Sequence, residues 1–521
     1  MVRRTFVTAL LCLAAAVAAA PPKNGAPPRP KLVLGIVIDQ FRYDYFTRFE
    51  ADYTGGLARL HERGAVFTNA YLDHYPTVTA IGHSTFLTGA TPAFSGIVGN
   101  DWFERETGRK VTSVSDPNVK LLGGKPDAEG SSPHRLLVTT IGDELKLAGN
   151  GKPRVIGISS KDRAAILPAG RSADGAYWFD ENTGNFVSST YYFDVLPKWV
   201  ADFNAARNAD RFLVAEWTPL VPSPDWPSFS RKMNGTYAAL EASPYANELV
   251  KQLAERAIEA EQLGARGVTD VLTLSFSGND YVGHAVGPHA PEVRDIAIRG
   301  DRMLGEFFDY IDRKIGMANV LVVFTADHGV APLPETMQKY RGPGGRLPAA
   351  KVIAAMEQAL IARFGEGKWV AGSSATSVYF NRELIASKNL AAADVHSVAA
   401  AAAAALPNVF RTYTREQLAA GQFAPDVVSQ RVSSGFYGPR SADVFVILNP
   451  YWVQSTGHGA DHGSPFNYDA HVPIVLMGPG IRPGVYENRA AENDIAPTLA
   501  SILGLEPPGG SVGRVLLEAI E

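Results

Sequence analysis

Four stretches of the chain are almost wholly apolar and rich in Val and Ile: Leu32–Ile38, Arg154–Ser159, Asp270–Phe276 and Asn319–Thr325. A strand with one wet face alternates apolar and polar residues, whereas a continuous apolar run fits a strand covered on both faces, as in a parallel sheet. Val472–Met477 has the same character. Between these runs lie segments of helical period. Gly55–Gly64 and Leu136–Leu147 are two; a third carries Leu249, Leu253 and Ala257 and ends near Gly264; Glu292–Ile311 is the clearest. This alternation predicts an α/β fold with a central, mostly parallel sheet flanked by helices. In such sheets ligands bind beyond the carboxyl ends of the strands. Asp39, Asp280 and Asp327 fall at or just after those ends.

The pattern changes between about Gly345 and Trp452. A helix is expected over Ala349–Phe364 and another over the alanine-rich Ala391–Ala405, with strand-like T-S-V-Y-F and D-V-F-V-I-L pieces beside them. Residues 346–456 are therefore assigned to an inserted α+β subdomain covering one side of the sheet. Residues 31–345 and 457–521 form the core.

The N-terminus reads as a leader. Arg3 and Arg4 precede an apolar run, Phe6–Val17, and Ala18-Ala19-Ala20 makes a small-residue cleavage site, so residues 1–20 are a signal peptide. The run is short of the ~20 residues a membrane span needs, so no stable membrane insertion is expected after its removal. Residues 21–30 read as a Pro-rich tether. The destination is secretion, with the periplasm favoured. Cys12, the one cysteine, sits in the leader, so the mature chain has no disulfide and relies on its core or on bound metal. Formal net charge is −4, and −6 without Arg3 and Arg4. No basic stripe suits a nucleic-acid partner, beyond nucleotides as substrates.

Candidate chemistry begins at Tyr75–Gly89, Y-P-T-V-T-A-I-G-H-S-T-F-L-T-G. Pro76 blocks a helix, Thr77 suits a helix cap, and Gly89 suits a helix end. Thr79 would stand at a helix N-terminus, where free amides and the dipole favour an anion and a hydroxyl can meet a phosphate. Potential metal ligands surround this stretch in sequence: Asp39, Asp280-x-x-x-His284, Asp327-His328-Gly329 and His462-Gly463-Ser464-Pro465. Carboxylate with imidazole suits zinc. His458 and His471 rival His462 in the same region, and the H-G-S-P context favours His462. His83 and His289 read as structural, and His74 could orient the segment that follows it.

Asp39 after its strand, P-T-V-T-A-I-G-H, G-N-D-W, K-D-R, D-Y-V-G-H, T-A-D-H-G and D-H-G-S-P together resemble the alkaline phosphatase superfamily. The resemblance is to its nucleotide pyrophosphatase/phosphodiesterase-like branch, and within that to the secreted bacterial alkaline phosphatases of the PafA type. It covers roughly 32–345 and 457–505. It implies two zinc ions per chain, the first on Asp280, His284 and His462, the second on Asp39, Asp327, His328 and the Thr79 oxygen. It further implies that Thr79 is the nucleophile and forms a phospho-threonine, and that Asn100, Lys161 and Arg163 contact the phosphate. A monoester dianion carries a charged oxygen that a diester caps with carbon, and a Lys/Arg pair can meet it. The implied function is a secreted zinc-dependent alkaline phosphatase acting on small phosphate monoesters. The alternative is a phosphodiesterase or nucleotide pyrophosphatase on the same two-zinc site, with Trp102, Tyr177 and Trp178 as possible nucleobase neighbours. The C/S-x-P-x-R motif of sulfatases is absent.

Overall fold

The computed structural model describes residues 29–374 and 377–521; the expected signal peptide, most of the tether and Cys12 lie outside them. Among the described residues the principal sheet has eleven strands. In chain order they are β1 (Leu32–Ile38), β2 (Ala65–Phe67), β3 (Ser115–Leu122), β4 (Glu129–Ser131), β5 (Val155–Ser159), β6 (Gly175–Asp180), β7 (Asn185–Ser189), β8 (Asp270–Phe276), β9 (Val320–Thr325), β10 (Ile474–Met477) and β11 (Gly484–Tyr486). They lie side by side as β11-β2-β10-β9-β1-β8-β5-β6-β7-β3-β4. The five central strands, β9 to β6 in that order, run parallel. Antiparallel pairs flank them, because β10 runs against both β9 and β2, and β7 against β6. The α/β sheet expected from the apolar runs is therefore parallel at its centre and mixed at its edges.

Register sets the working edge. Every residue of β1 is buried. Val37 lies level with Ser275 of β8 and with Thr325 of β9. Two residues further on, Asp39 and Asp327 emerge side by side, and the Asp39 amide still donates to the Phe276 carbonyl, 3.1 Å. Asp280 follows on the helix that leaves β8.

Four helices frame this edge: α1 (Thr79–Thr88), α2 (Asp162–Ala169), α3 (Gly278–Val286) and α4 (Pro291–Lys314). All ten residues of α1 are buried, so this helix has no wet face. It packs against α2 and against the Glu492–Asp494 turn. Gly89 closes it at φ 66°, in the left-handed region. Its N-cap residue is Val78, not the Thr77 expected from the sequence. The Thr77 hydroxyl instead donates to the Ser464 carbonyl, 2.8 Å, and so ties α1 to the H-G-S-P loop.

Residues Val370–Ser374, Ser377–Phe380, Val444–Leu448 and Val409–Thr414 form a separate four-stranded sheet in that order. Helices Ala349–Phe364 and Ala392–Ala404 cover one face of it around Met356, Trp369 and Val444. The other face, with Tyr379, Tyr413, Phe445 and Ile447, joins a cluster containing Ile81, Trp102 and Ala165. Val444–Leu448 thus alternates strictly between two cores, as a period of two requires. A short parallel pairing of Gly345–Arg346 with Trp452–Val453 brings the two ends of this segment together. No described helix is long and apolar enough to cross a membrane.

Helix α1 meets the backbone of the working edge closely at Gly82. A Cβ there would lie 2.3 Å from the Asp327 carbonyl oxygen and 2.6 Å from its Cα. Replacing a helix-interior glycine by alanine normally stabilises by about 1 kcal/mol. Gly82→Ala should have the opposite sign, costing about 1–3 kcal/mol through overpacking. Chemical denaturation of the two proteins checks this; an equal or raised midpoint would show that α1 can retreat from Asp327 freely.

Candidate functional site

The candidate ligands converge. Among the described residues, ligand atoms of Asp39, Asp327 and His328 all lie within 4.8 Å of one another, as do those of Asp280, His328 and His462. His328 Nε2 is 3.5 Å from Asp39 Oδ1 and 3.5 Å from Asp327 Oδ2. His284 Nε2 stands 3.2 Å from Asp280 Oδ1, and His462 Nε2 stands 3.7 Å from the same oxygen. Asp280 and His284 are four apart on α3, so one helix turn aims both at one point. The rings of His328 and His462 stack with centroids 3.6 Å apart, which places His328 between the two groups. Of the rival histidines, His471 points away. It bonds the Thr68 carbonyl at 2.9 Å and stacks on Tyr43 and Tyr71. His458 and His289 are exposed.

The residues fit metal. Nδ1 of His284, His328 and His462 each pairs with a backbone carbonyl, of Ala460, Gly329 and Thr77, at 2.9, 2.9 and 2.8 Å. A carbonyl accepts only, so Nδ1 carries the proton and Nε2 presents its lone pair to the cluster. Asp39 Oδ1, Asp327 Oδ2 and His328 Nε2 are buried without a hydrogen-bond partner among the described residues. Leaving such atoms bare costs about 1–3 kcal/mol each, which a bound cation would remove. Two carboxylate-and-imidazole groups of this kind match the chemistry of zinc.

Charge is distributed unevenly. Burial, reinforced by neighbouring Asp327, raises the pKa of Asp39. Burial opposes ionisation of Asp280 too, but the Lys161 ammonium overrides it and holds Asp280 well below the usual carboxylate range. Lys161 Nζ bridges the two, 2.8 Å from Asp39 Oδ2 and 2.5 Å from Asp280 Oδ2. Burial pushes His328 down to about 4 and His462 to about 3, keeping both neutral. Burial also disfavours a charged His284, but Asp280 outweighs it and lifts His284 to about 9, so its Nε2 holds a proton that a bound cation would displace to reach the lone pair.

Thr79 opens α1 and is 1% exposed. Asn100 reaches its first turn, with Oδ1 accepting from the Ala80 amide at 2.8 Å. That amide is therefore committed to the protein, contrary to the expectation of first-turn amides free for a phosphate; the Asn100 Nδ2 group remains to donate. Arg163 stands at the start of α2, with Asp162 3.8 Å away. The structure thus ties Lys161 to the carboxylates and leaves Arg163 outside them. Trp102, Tyr177 and Trp178 are buried core residues.

Profile comparison matches residues 33–468 to the type I phosphodiesterase / nucleotide pyrophosphatase family. This chain belongs to that family. It is 36% identical over 526 residues to alkaline phosphatase PafA of Elizabethkingia meningoseptica, with 96% of each chain covered. It is 36% identical to alkaline phosphatase PhoV of Synechococcus elongatus, over 95% of this chain and 93% of that one. A crystal structure of wild-type alkaline phosphatase PafA superposes with a TM-score of 0.91 at 35% identity, covering 95% of this chain and all of that one.

Two residues of the site escape the sequence reading. Gln40 donates its amide to Asp327 Oδ1 at 3.1 Å and its Nε2 to Asp280 Oδ1 at 2.6 Å, joining the two ligand groups. His83 lies 3.2 Å from Asp327 Oδ2 while bonding the Thr79 carbonyl and Ser275 Oγ at 2.9 and 2.8 Å. A polar residue right after a strand-end Asp, and a His one turn after Thr79, are the only signals either leaves. The orphaned atoms predict a stability effect. A metal at a thousand times its Kd adds about 4 kcal/mol to unfolding. Chelation should lower the melting temperature of the native protein by several degrees, and Asp39→Asn should shrink that shift. A chelator-insensitive melt would count against a buried metal centre.

Proposed function

We propose that this chain is an alkaline phosphatase that hydrolyses phosphate monoesters through a covalent phospho-threonine on Thr79, with two zinc ions as cofactors. The observation that carries this reading is the convergence of six ligand side chains beside the buried helix that Thr79 opens, in a chain similar over nearly its whole length to two alkaline phosphatases. Asp280, His284 and His462 would hold one ion, and Asp39, Asp327, His328 and the Thr79 oxygen the other. When bound, the pair supplies positive charge for the attacking and leaving oxygens of an in-line displacement.

The chain's own groups then divide the work. Thr79 Oγ1 forms a bond to phosphorus as the ester P–O bond breaks and the alcohol leaves. Water hydrolyses the phospho-threonine and releases phosphate. Asn100, oriented by its bond to Ala80, offers Nδ2 to a phosphoryl oxygen. Lys161 and Arg163 meet the second charge of a monoester dianion. In this reading residues 1–20 export the chain to the periplasm, and 346–456 is an insertion in the catalytic core. The family profile also includes diesterases and pyrophosphatases, so the competing activity is cleavage of a diester at the same site.

Thr79→Ala should abolish phosphate release, whereas Thr79→Ser, which keeps the hydroxyl, should retain a measurable fraction. Near-normal turnover in Thr79→Ala would make water the direct nucleophile. Arg163 tests the substrate class more cleanly than Lys161, because Lys161 also holds Asp39 and Asp280. A charge-assisted hydrogen bond is worth about 1.5–3 kcal/mol. Arg163→Ala should therefore lower kcat/KM for an aryl phosphate about 10–100-fold and for its methyl diester far less. Equal losses on both esters would remove the case for monoesters.

A further inference from the structure

A cavity of about 370 Å³ opens against the cluster. At its inner end stand His284, His462 and Asn100; Thr79, Asp39 and Asp327 do not line it. Of the candidate metal ligands it meets His284 and His462, and it passes Pro76 and Val78 just before Thr79. In an in-line displacement the attacking and leaving oxygens lie on opposite faces of phosphorus. With Thr79 attacking from the Asp39 and Asp327 side, the leaving oxygen points toward Asp280, His284 and His462, and the rest of the alcohol continues into this cavity.

Its outer wall carries an apolar patch among Ser374, Ser377, Ser441 and Gln454. Tyr379, Phe445, Ile447 and Trp452 come from the separate four-stranded sheet and the short strand that follows it, and Val98 faces them from the loop before Asn100. An apolar patch in a cavity of this size can hold a small organic body, with nearby polar groups to orient it. Its charges are unsuited to an anion. Lys110 is the one Lys or Arg in the wall among the described residues, and its Nζ lies 3.0 Å from Asp101 Oδ2. Ser374 Oγ holds Asp101 Oδ1 at 2.9 Å. Asp461, also in the wall, accepts the His462 amide at 3.0 Å. With Asp469 also in the lining, three carboxylates and one neutralised ammonium stand beside the imidazoles.

We propose that this cavity is the leaving-group subsite and that it selects monoesters of neutral alcohols with an apolar body of about one ring, over small alcohols and over anionic ones. This rests on the phosphatase reading above. It assigns the wall supplied by the inserted sheet a specificity role that the phosphoryl site does not need.

The test is kcat/KM of the zinc-loaded enzyme on ethyl, 2-phenylethyl and 2-carboxyethyl phosphates, whose leaving alcohols are of similar acidity. The 2-phenylethyl ester should exceed ethyl by about tenfold or more, as burial of one ring allows, and the carboxyethyl ester should fall below ethyl. Trp452→Ala should cut the 2-phenylethyl to ethyl ratio at least about threefold. Val98→Lys should raise the carboxyethyl to ethyl ratio by placing an ammonium in the wall. Three wild-type values within twofold of one another, or ratios unmoved in folded variants, would overturn the subsite. If Trp452→Ala does not fold, the wild-type panel and Val98→Lys decide. Ethyl phosphate reads the phosphoryl site alone. Its turnover without an apolar preference sinks only this inference, whereas no turnover of any of the three esters sinks the phosphatase reading with it.

Discussion

Asp39, Asp280 and Asp327 are buried within a few ångströms of one another at the ends of three neighbouring parallel strands, and this concentration of negative charge is the constraint to which the site answers. Burial first, and like charge after it, push a carboxyl pKa up, as at Asp39. Something cationic has to stand among them. Lys161 supplies one charge by bridging Asp39 and Asp280. The bare oxygens of Asp39 and Asp327, and three imidazoles whose Nε2 atoms converge, provide for more. A buried charge cluster of this kind contributes little to stability by itself. Its retention makes sense as a binding site.

The helix that carries Thr79 is held to the same cluster from the other side. It has no wet face, so its position is fixed by packing all round rather than by one amphipathic stripe. Gly82 lets it press onto the backbone of Asp327, and His83 and Thr77 tie it to Asp327 and to the His462 loop. Thr79 placed this way cannot shift without moving Asp327 or the His462 loop. Such fixing is the preorganisation that the proposed displacement at phosphorus would need.

The four-stranded sheet extends this logic outward. Because Val444–Leu448 sends alternate side chains into two cores, the sheet is anchored by one face while the other closes over Trp102 and α1. The cavity between it and the cluster is a consequence of that docking.

Continuous apolar runs revealed the buried strands, because a strand covered on both faces has no polar positions to spare. They also pointed to the strand-end carboxylates, and the spacing of Asp280 and His284 was legible as one helix turn. The segments around Thr79, Asn100, Lys161 and Arg163 stood out as candidates too, since each is a run of a few consecutive residues. Other features depend on contacts between residues from twenty to several hundred positions apart, which leave no local period. The antiparallel run of β10 is one, and the diversion of Thr77 from helix cap to the Ser464 carbonyl is another. The capture of the Ala80 amide by Asn100, the bridge of Lys161 between Asp39 and Asp280, and the link Gln40 makes between the two ligand groups are of the same kind. The chain alone announces which groups can ligate and attack. Only packing of α1 and the α3 turn against the level ends of β1, β8 and β9 decides which oxygen and which nitrogen face one another, because a hydrogen bond or a ligand is chosen by distance in space and not by distance along the chain.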